Sequence, residues 1–181
     1  MNEGLIPRRY AKALYATACE RGVDTKVYDL MNILERNFAA LPSMQQVMAN
    51  PYVSDADKIG LLSSALAIEN SDSVVCNFFK LLAQNKRLDM AYACALAYID
   101  IYRKQHSIHK VVVVSAAKMS AEDDKRLRAL IERHLNGGTM EYSASVDPSL
   151  IGGFTVSVGN ERLDASISNE LKQLRLNLLS K

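Results

Sequence analysis

From about residue 5 to residue 106, apolar side chains recur every three or four positions, and the pattern is broken only by short polar or proline-bearing gaps. That period belongs to helices. Pro7 suits a first helical turn, where its missing N–H costs nothing. The first helix then runs to Arg21, with Gly22 as its C-terminal stop. A second covers about 24–40 and ends before Leu41-Pro42. Ser43-Met44-Gln45-Gln46 reads as a capping box opening a short helix that Asn50-Pro51 closes. Ser54-Asp55-Ala56-Asp57 opens a fourth, to about Ile68. Ser71 or Asp72 caps a fifth, to about Asn85, and a sixth runs from about Leu88 to His106. Short loops between six helices predict a compact bundle.

After His106 the period changes. Val111–Val114 is a β-branched run, expected as a strand buried on both faces. Ser120-Ala121-Glu122-Asp123 is again a capping box, and Leu127, Leu130, Ile131 and Leu135 form the apolar face of the helix it opens, which Gly137-Gly138 ends. Met140, Tyr142, Ala144 and Val146 alternate with polar residues, as do Phe154, Val156 and Val158; both runs predict half-buried strands. Gly159-Asn160 is a two-residue turn into a short strand at Glu161–Asp164. Ser166 caps a last helix, whose stripe of Ile167, Leu171, Leu174 and Leu178 is expected to pack on its own sheet. Leu176 and Leu179 lie partly off that stripe. The predicted class is α+β: an N-terminal six-helix bundle, residues 1–106, then a small C-terminal domain, residues 107–181, with a short β-sheet and two helices.

Charge narrows the possible functions. Twelve basic and eleven acidic side chains precede His106, and ten and nine follow, for a net charge of +2. Neither half carries the basic excess that binding to a nucleic-acid backbone requires. No apolar run is long enough to cross a bilayer, so direct membrane insertion is not expected. Cys19, Cys76 and Cys94 include no C-x-x-C pair and all fall in apolar helical stretches, so they read as buried, reduced thiols of a cytoplasmic protein.

The chemistry of an enzyme is not visible. There is no G-x-x-x-x-G-K-[ST] phosphate loop. His106 and His109 have no cysteine or carboxylate at metal-ligand spacing. Asp147 and Asp164 read as turn and strand-end residues rather than as an acid–base pair, and Gly152-Gly153 as a place of unusual backbone angles or close chain approach. No cofactor, metal or catalytic residue is expected.

Two helices carry more apolar surface than a core needs. In the first, Ile6, Tyr10, Ala13, Leu14 and Thr17 line one face, and Ala11, Tyr15, Ala18 and Cys19 much of another. In the fifth, Val74, Val75, Phe78, Phe79, Leu81 and Leu82 give a similarly wide surface. Side by side, they would form a groove for an amphipathic helix.

Three segments, in order along nearly the whole chain, carry a resemblance. Arg9-Tyr10-Ala11-Lys12-Ala13-Leu14 resembles the opening helix of the delta/OSCP family of rotary ATP synthase subunits. Phe78 followed by Leu82-Ala83-Gln84-Asn85-Lys86-Arg87-Leu88 is similar to that family's fifth-helix ending. Val146-Asp147-Pro148-Ser149-Leu150-Ile151-Gly152-Gly153-Phe154, with Asp164-Ala165-Ser166-Ile167, resembles its C-terminal signature. Lys86 and Ala165 stand where the family often has glycine, which at 165 puts a left-handed turn in doubt.

The resemblance implies a non-catalytic stator subunit of an F-type ATP synthase. Its N-terminal domain would bind N-terminal segments of the alpha subunits of the catalytic head. One of these would lie as a helix between helices one and five, against Tyr10, Ala13, Leu14, Thr17, Phe78 and Phe79. Its C-terminal domain would hold the end of the peripheral-stalk b subunit, with Leu176 and Leu179 as the contact residues. It implies one copy in a hetero-oligomeric complex, and the lack of a visible transit segment adds the expectation of a bacterial protein at the cytoplasmic face of the inner membrane. A generic helical adaptor, using the same groove for other partners, is the alternative.

Overall fold

The fold is described from a computed structural model covering residues 4–67, 73–135, 137–159 and 161–179, with the side chains of 174 and 177–179 outside the description. It is α+β: eight α-helices and one four-stranded sheet among the described residues. The chain divides into two compact units, residues 1–102 and 103–181. The division falls in the last turn of the sixth helix, four residues before the expected boundary.

The first unit contains α1 (Leu5–Glu20), α2 (Asp24–Ala40), α3 (Pro42–Ala49), α4 (Asp55–Ala65), α5 (Val74–Gln84) and most of α6 (Ala91–Gln105), with a 3-10 turn at Leu88–Met90. α1 ends as expected: Gly22 has a left-handed φ of 63°, its N–H donates to the Cys19 carbonyl, and the Val23 N–H donates to the Ala18 carbonyl. These two bonds satisfy carbonyls that the end of a helix otherwise leaves open. α5 ends in the same geometry, but with Lys86 in the glycine position, at φ 54°.

Two caps differ from expectation. α3 starts at Pro42 with Leu41 as its N-cap, and Ser43 makes no capping bond, because proline at the first turn already fixes φ there. α5 is capped by Ser73, whose hydroxyl accepts from the Cys76 N–H at 3.1 Å; Ser71 and Asp72 lie outside the described residues. Ser54 caps α4 as expected, accepting from the Asp57 N–H at 3.2 Å.

Buried residues of this unit include Ala11, Leu14 and Ala18 of α1, Met31 and Leu34 of α2, and Phe79 of α5. Cys76 and Cys94 are buried as expected, and burial pushes the Cys94 thiol up to about 12. Cys19 is exposed, because the inward stripe of α1 runs through Pro7, Ala11, Leu14 and Ala18 and turns residue 19 outward.

The second unit is built on β1 (Ile108–Ser115), α7 (Ala121–His134), β2 (Thr139–Val146), a 3-10 turn (Pro148–Leu150), β3 (Gly153–Val158), β4 (Glu161–Ser166) and α8 (Ile167–Leu179). The sheet order is β2-β1-β3-β4. β1 pairs parallel with β2 and antiparallel with β3, and β3 and β4 form a hairpin with Val158 opposite Glu161. Val111, Val113, Val156 and Ile131 of α7 form the core, with Leu127, Met140 and Phe154 packed around them.

β1 is not equally buried on both faces: Val111 and Val113 are fully enclosed, and Val112 and Val114 are half-buried. Leu130, expected on the inner face of α7, is 61% exposed. The last four residues of β2 are exposed on this edge strand. β4 is longer than expected, and Ala165 lies in it with no left-handed φ.

Gly153 has both features expected of its glycine pair. Its φ is 78°, and a side chain there would place Cβ 2.2 Å from the Ala165 carbonyl oxygen. The hairpin therefore closes directly against a bare Cα.

Candidate functional site

The widest functional signal in the sequence falls on a cleft between α1 and α5. It has a volume of about 240 Å³ and is lined by Tyr10, Ala13, Leu14, Thr17 and Arg21 of α1 and by Val74, Asn77, Phe78 and Leu81 of α5. The spacing explains the arrangement. Residues 10, 13, 17 and 21 run along one side of α1, bordering its buried stripe at Leu14, and 74, 77 and 81 border the buried Phe78 on α5 in the same way. Both helices turn one stripe to the core and a neighbouring one to the cleft.

Five of the six residues singled out for this face, Tyr10, Ala13, Leu14, Thr17 and Phe78, come together in the cleft. Phe79 does not. It is fully enclosed, because it lies one residue, or about 100°, around α5 from Phe78. Leu14 and Phe78 are themselves almost buried and form the floor. Leu81, 43% exposed, is an apolar wall residue that sequence reasoning noted but did not assign to the face. Its i+3 spacing from Phe78 was the available signal.

The polar atoms of the cleft are few. The Thr17 hydroxyl donates to the Ala13 carbonyl at 3.1 Å, so its methyl group is free to act as apolar surface. Among the described residues, no side-chain partner meets the Tyr10 hydroxyl, the Asn77 amide or the Arg21 guanidinium. Arg21 is the only charged side chain among the described residues of the lining.

In the second unit, α8 continues from β4 through a polar cap. The Ser166 hydroxyl donates to Asp164 Oδ1 at 2.6 Å and accepts from the Asn169 N–H at 3.3 Å. The Ser166 hydrogen bonds hold the Asp164 carboxyl below the usual aspartate range, and those from Ser149 do the same for Asp147. Each carboxylate is thus tied to a serine two residues on. Ile167 and Leu171, expected against the sheet, are 44% and 55% exposed, and Leu176 is 66% exposed. The side chains of Leu174, Leu178 and Leu179 lie outside the described residues. At the two positions that are described, the expected packing on its own sheet is incomplete: Ile167 lies over Gly152 and yet, like Leu171, stays largely exposed.

A polar tether fixes α7 to β2. The Tyr142 hydroxyl donates to Asp124 Oδ1, and the Arg128 guanidinium lies 3.8 Å over the Tyr142 ring and donates to Asp124 Oδ2 at 2.8 Å. The Tyr142 hydrogen bond holds the Asp124 carboxyl down, and burial, then Asp124, pushes the Tyr142 phenol up to about 12. Among the described residues, no group of three or more His, Cys, Asp or Glu is placed to hold a metal, and no helix is long and apolar enough to cross a membrane.

The family model described as ATP synthase delta (OSCP) subunit matches residues 6–178. Among curated proteins, the ATP synthase subunit delta of Phocaeicola vulgatus is 33% identical over 98% of this chain and 96% of its own length. That of Parabacteroides distasonis is 35% identical over 99% and 98%. Among solved structures, a chain of the Toxoplasma gondii mitochondrial ATP synthase hexamer shares the fold, with a TM-score of 0.75 over 96% of this chain and 97% of that one, at 23% identity.

Proposed function

Since the chain belongs to the ATP synthase delta (OSCP) subunit family, we propose that it works as the joint of the stator, holding the catalytic head to the peripheral stalk so that the head does not turn with the rotor. It is a structural subunit of an F-type ATP synthase rather than its catalytic one. What such a joint needs is tenacious binding without chemistry. Apolar clefts that take amphipathic helices meet that need, because burying large side chains slows dissociation.

The observation that carries this reading is the α1–α5 cleft: two neighbouring helices each present mainly apolar residues beside their buried ones. α1–α6 then act as a helical bundle that grips the head. An N-terminal segment of an alpha subunit lies in the cleft as a helix, against Tyr10, Ala13, Thr17 and Leu81, over a floor of Leu14 and Phe78. The second unit holds the C-terminal end of the b subunit. Its exposed α8 residues Ile167, Leu171 and Leu176 support that assignment, and Leu179 completes the proposed contact. One copy of the chain serves each complex. The bacterial relatives favour a place at the cytoplasmic face of the inner membrane, with partners rather than a membrane span keeping the protein there.

The test is calorimetric titration of the full chain with a peptide from the N-terminus of the same organism's alpha subunit. Saturable binding at one site, with the peptide turning helical, is expected. Leu81→Asp, at an exposed position, should leave the fold intact and weaken binding by about tenfold or more, the equivalent of losing roughly 1.5 kcal/mol of apolar burial. Leu14 and Phe79 are unsuitable for this purpose, since a charge at either would break the core. A folded protein that does not bind the peptide overturns the reading.

A further inference from the structure

The cleft is apolar along its length but not symmetric end to end. Tyr10 stands at one end of its α1 wall and Arg21 at the other, eleven residues and so about 16 Å away, the length of three helical turns. Arg21 is exposed and, among the described residues, is the only charge in the lining and meets no side-chain partner. It caps the C-terminus of α1, where the partial negative charge of the helix end favours a cation. The guanidinium thus presents a positive charge at one end of a slot whose other described lining residues are neutral.

We propose that Arg21 sets the direction in which a helix docks: a carboxylate in the first turn of the incoming helix pairs with the guanidinium, and the helix lies antiparallel to α1. Two effects point the same way. Acidic side chains are stabilised in the first turn of any helix, so the carboxylate and the N-terminus arrive together. An antiparallel neighbour also places its own positive end beside the negative end of α1. The apolar walls supply most of the affinity and accept either direction; the charge at one end chooses between them. The inference rests on the proposed occupancy of the cleft and adds the polarity of the occupant.

The experiment uses the full chain and the alpha N-terminal peptide, with a nitroxide label on one peptide end or the other, read as paramagnetic broadening of amide resonances. The N-terminal label should broaden residues around Arg21, and the C-terminal label those around Tyr10. Arg21→Ala should weaken binding about two- to fivefold at low salt, as for an exposed ion pair, with the loss fading as salt rises. Arg21→Glu should weaken it further, and replacing the first-turn carboxylate of the peptide by lysine should restore affinity to that variant. Reversed broadening, or tight binding indifferent to Arg21→Glu, overturns the docking direction and leaves the cleft assignment standing. A folded chain that binds no peptide overturns both.

Discussion

At the scale of single residues, helix ends show where the sequence departs from its local optimum. Gly22 and Lys86 occupy the same left-handed position after α1 and α5, and only one of them is a glycine. A side chain in that region costs on the order of 1 kcal/mol. Lys86→Gly is therefore expected to stabilise the protein by about 0.5 kcal/mol after the added freedom of the unfolded chain is counted, and Gly22→Ala to destabilise it by about 1 kcal/mol. Denaturant midpoints at unchanged slope check both.

The tyrosine–aspartate tether belongs to the same scale. Tyr142→Phe should cost about 1 kcal/mol at neutral pH through the lost hydrogen bond. The Asp124 carboxyl is held below its ordinary 3.8 in the folded protein, so its contribution is present above that value and disappears as pH falls through the lowered folded value. The gap between Tyr142→Phe and the parent should then narrow below about pH 4 in acid-unfolding curves. The phenol, raised from 10 to about 12, favours the folded state in the opposite sense. It stays neutral there while the unfolded phenol ionises, so that the parent's stability falls as pH climbs from 10 towards 12. None of this pairing is legible in sequence. It joins residues 18 apart across a helix and a strand whose packing had first to be known.

Elements were far more legible. Ser54 and Ser120 announce their helices by spacing alone, and both caps form. Sequence failed where one element shades into two environments. The valines of β1 look alike, yet only residues 111 and 113 join the core with Ile131 of α7, while 112 and 114 stay half-buried on the other face. Leu130 fits the apolar period of α7 yet stands outside the stripe that reaches the sheet. Phe78 and Phe79 are adjacent and chemically identical, and only their helical angle separates cleft floor from core. Gly153 offers the sharpest test at this scale. Gly153→Ala must carry a left-handed φ and also move the Ala165 carbonyl, so it should cost about 2 kcal/mol or more and loosen the β3–β4 hairpin. Hydrogen exchange at β3 and β4 amides is the direct measurement.

For the whole molecule, the change of period near His106 was enough to separate a helical unit from a mixed one, although the division falls inside the end of α6 rather than after it. A fragment of residues 1–105, which keeps α6 entire, is expected to unfold cooperatively and to bind the alpha peptide with the affinity of the full chain. A fragment that is folded but does not bind would place part of the binding surface in the second unit. Function at this scale was legible because a connector advertises itself through surplus apolar stripes and ordered motifs rather than through reactive groups. Whether a stripe is surplus, as on α1, could only be decided once the core had claimed its share.

The position of β1 at the centre of its sheet has a further consequence for synthesis. Its neighbours arrive later in the chain: Val111 pairs with Tyr142 on one side and with Val158 on the other. At about 5–20 residues per second, translation leaves this valine-rich strand waiting roughly 2–9 seconds for its second partner. The helices of the first unit, all of which precede β1 in the chain, have time to form in that interval. The nascent subunit therefore passes through a stage with a finished helical unit and an open-edged strand. That strand is the segment a ribosome-bound chaperone would be expected to shield.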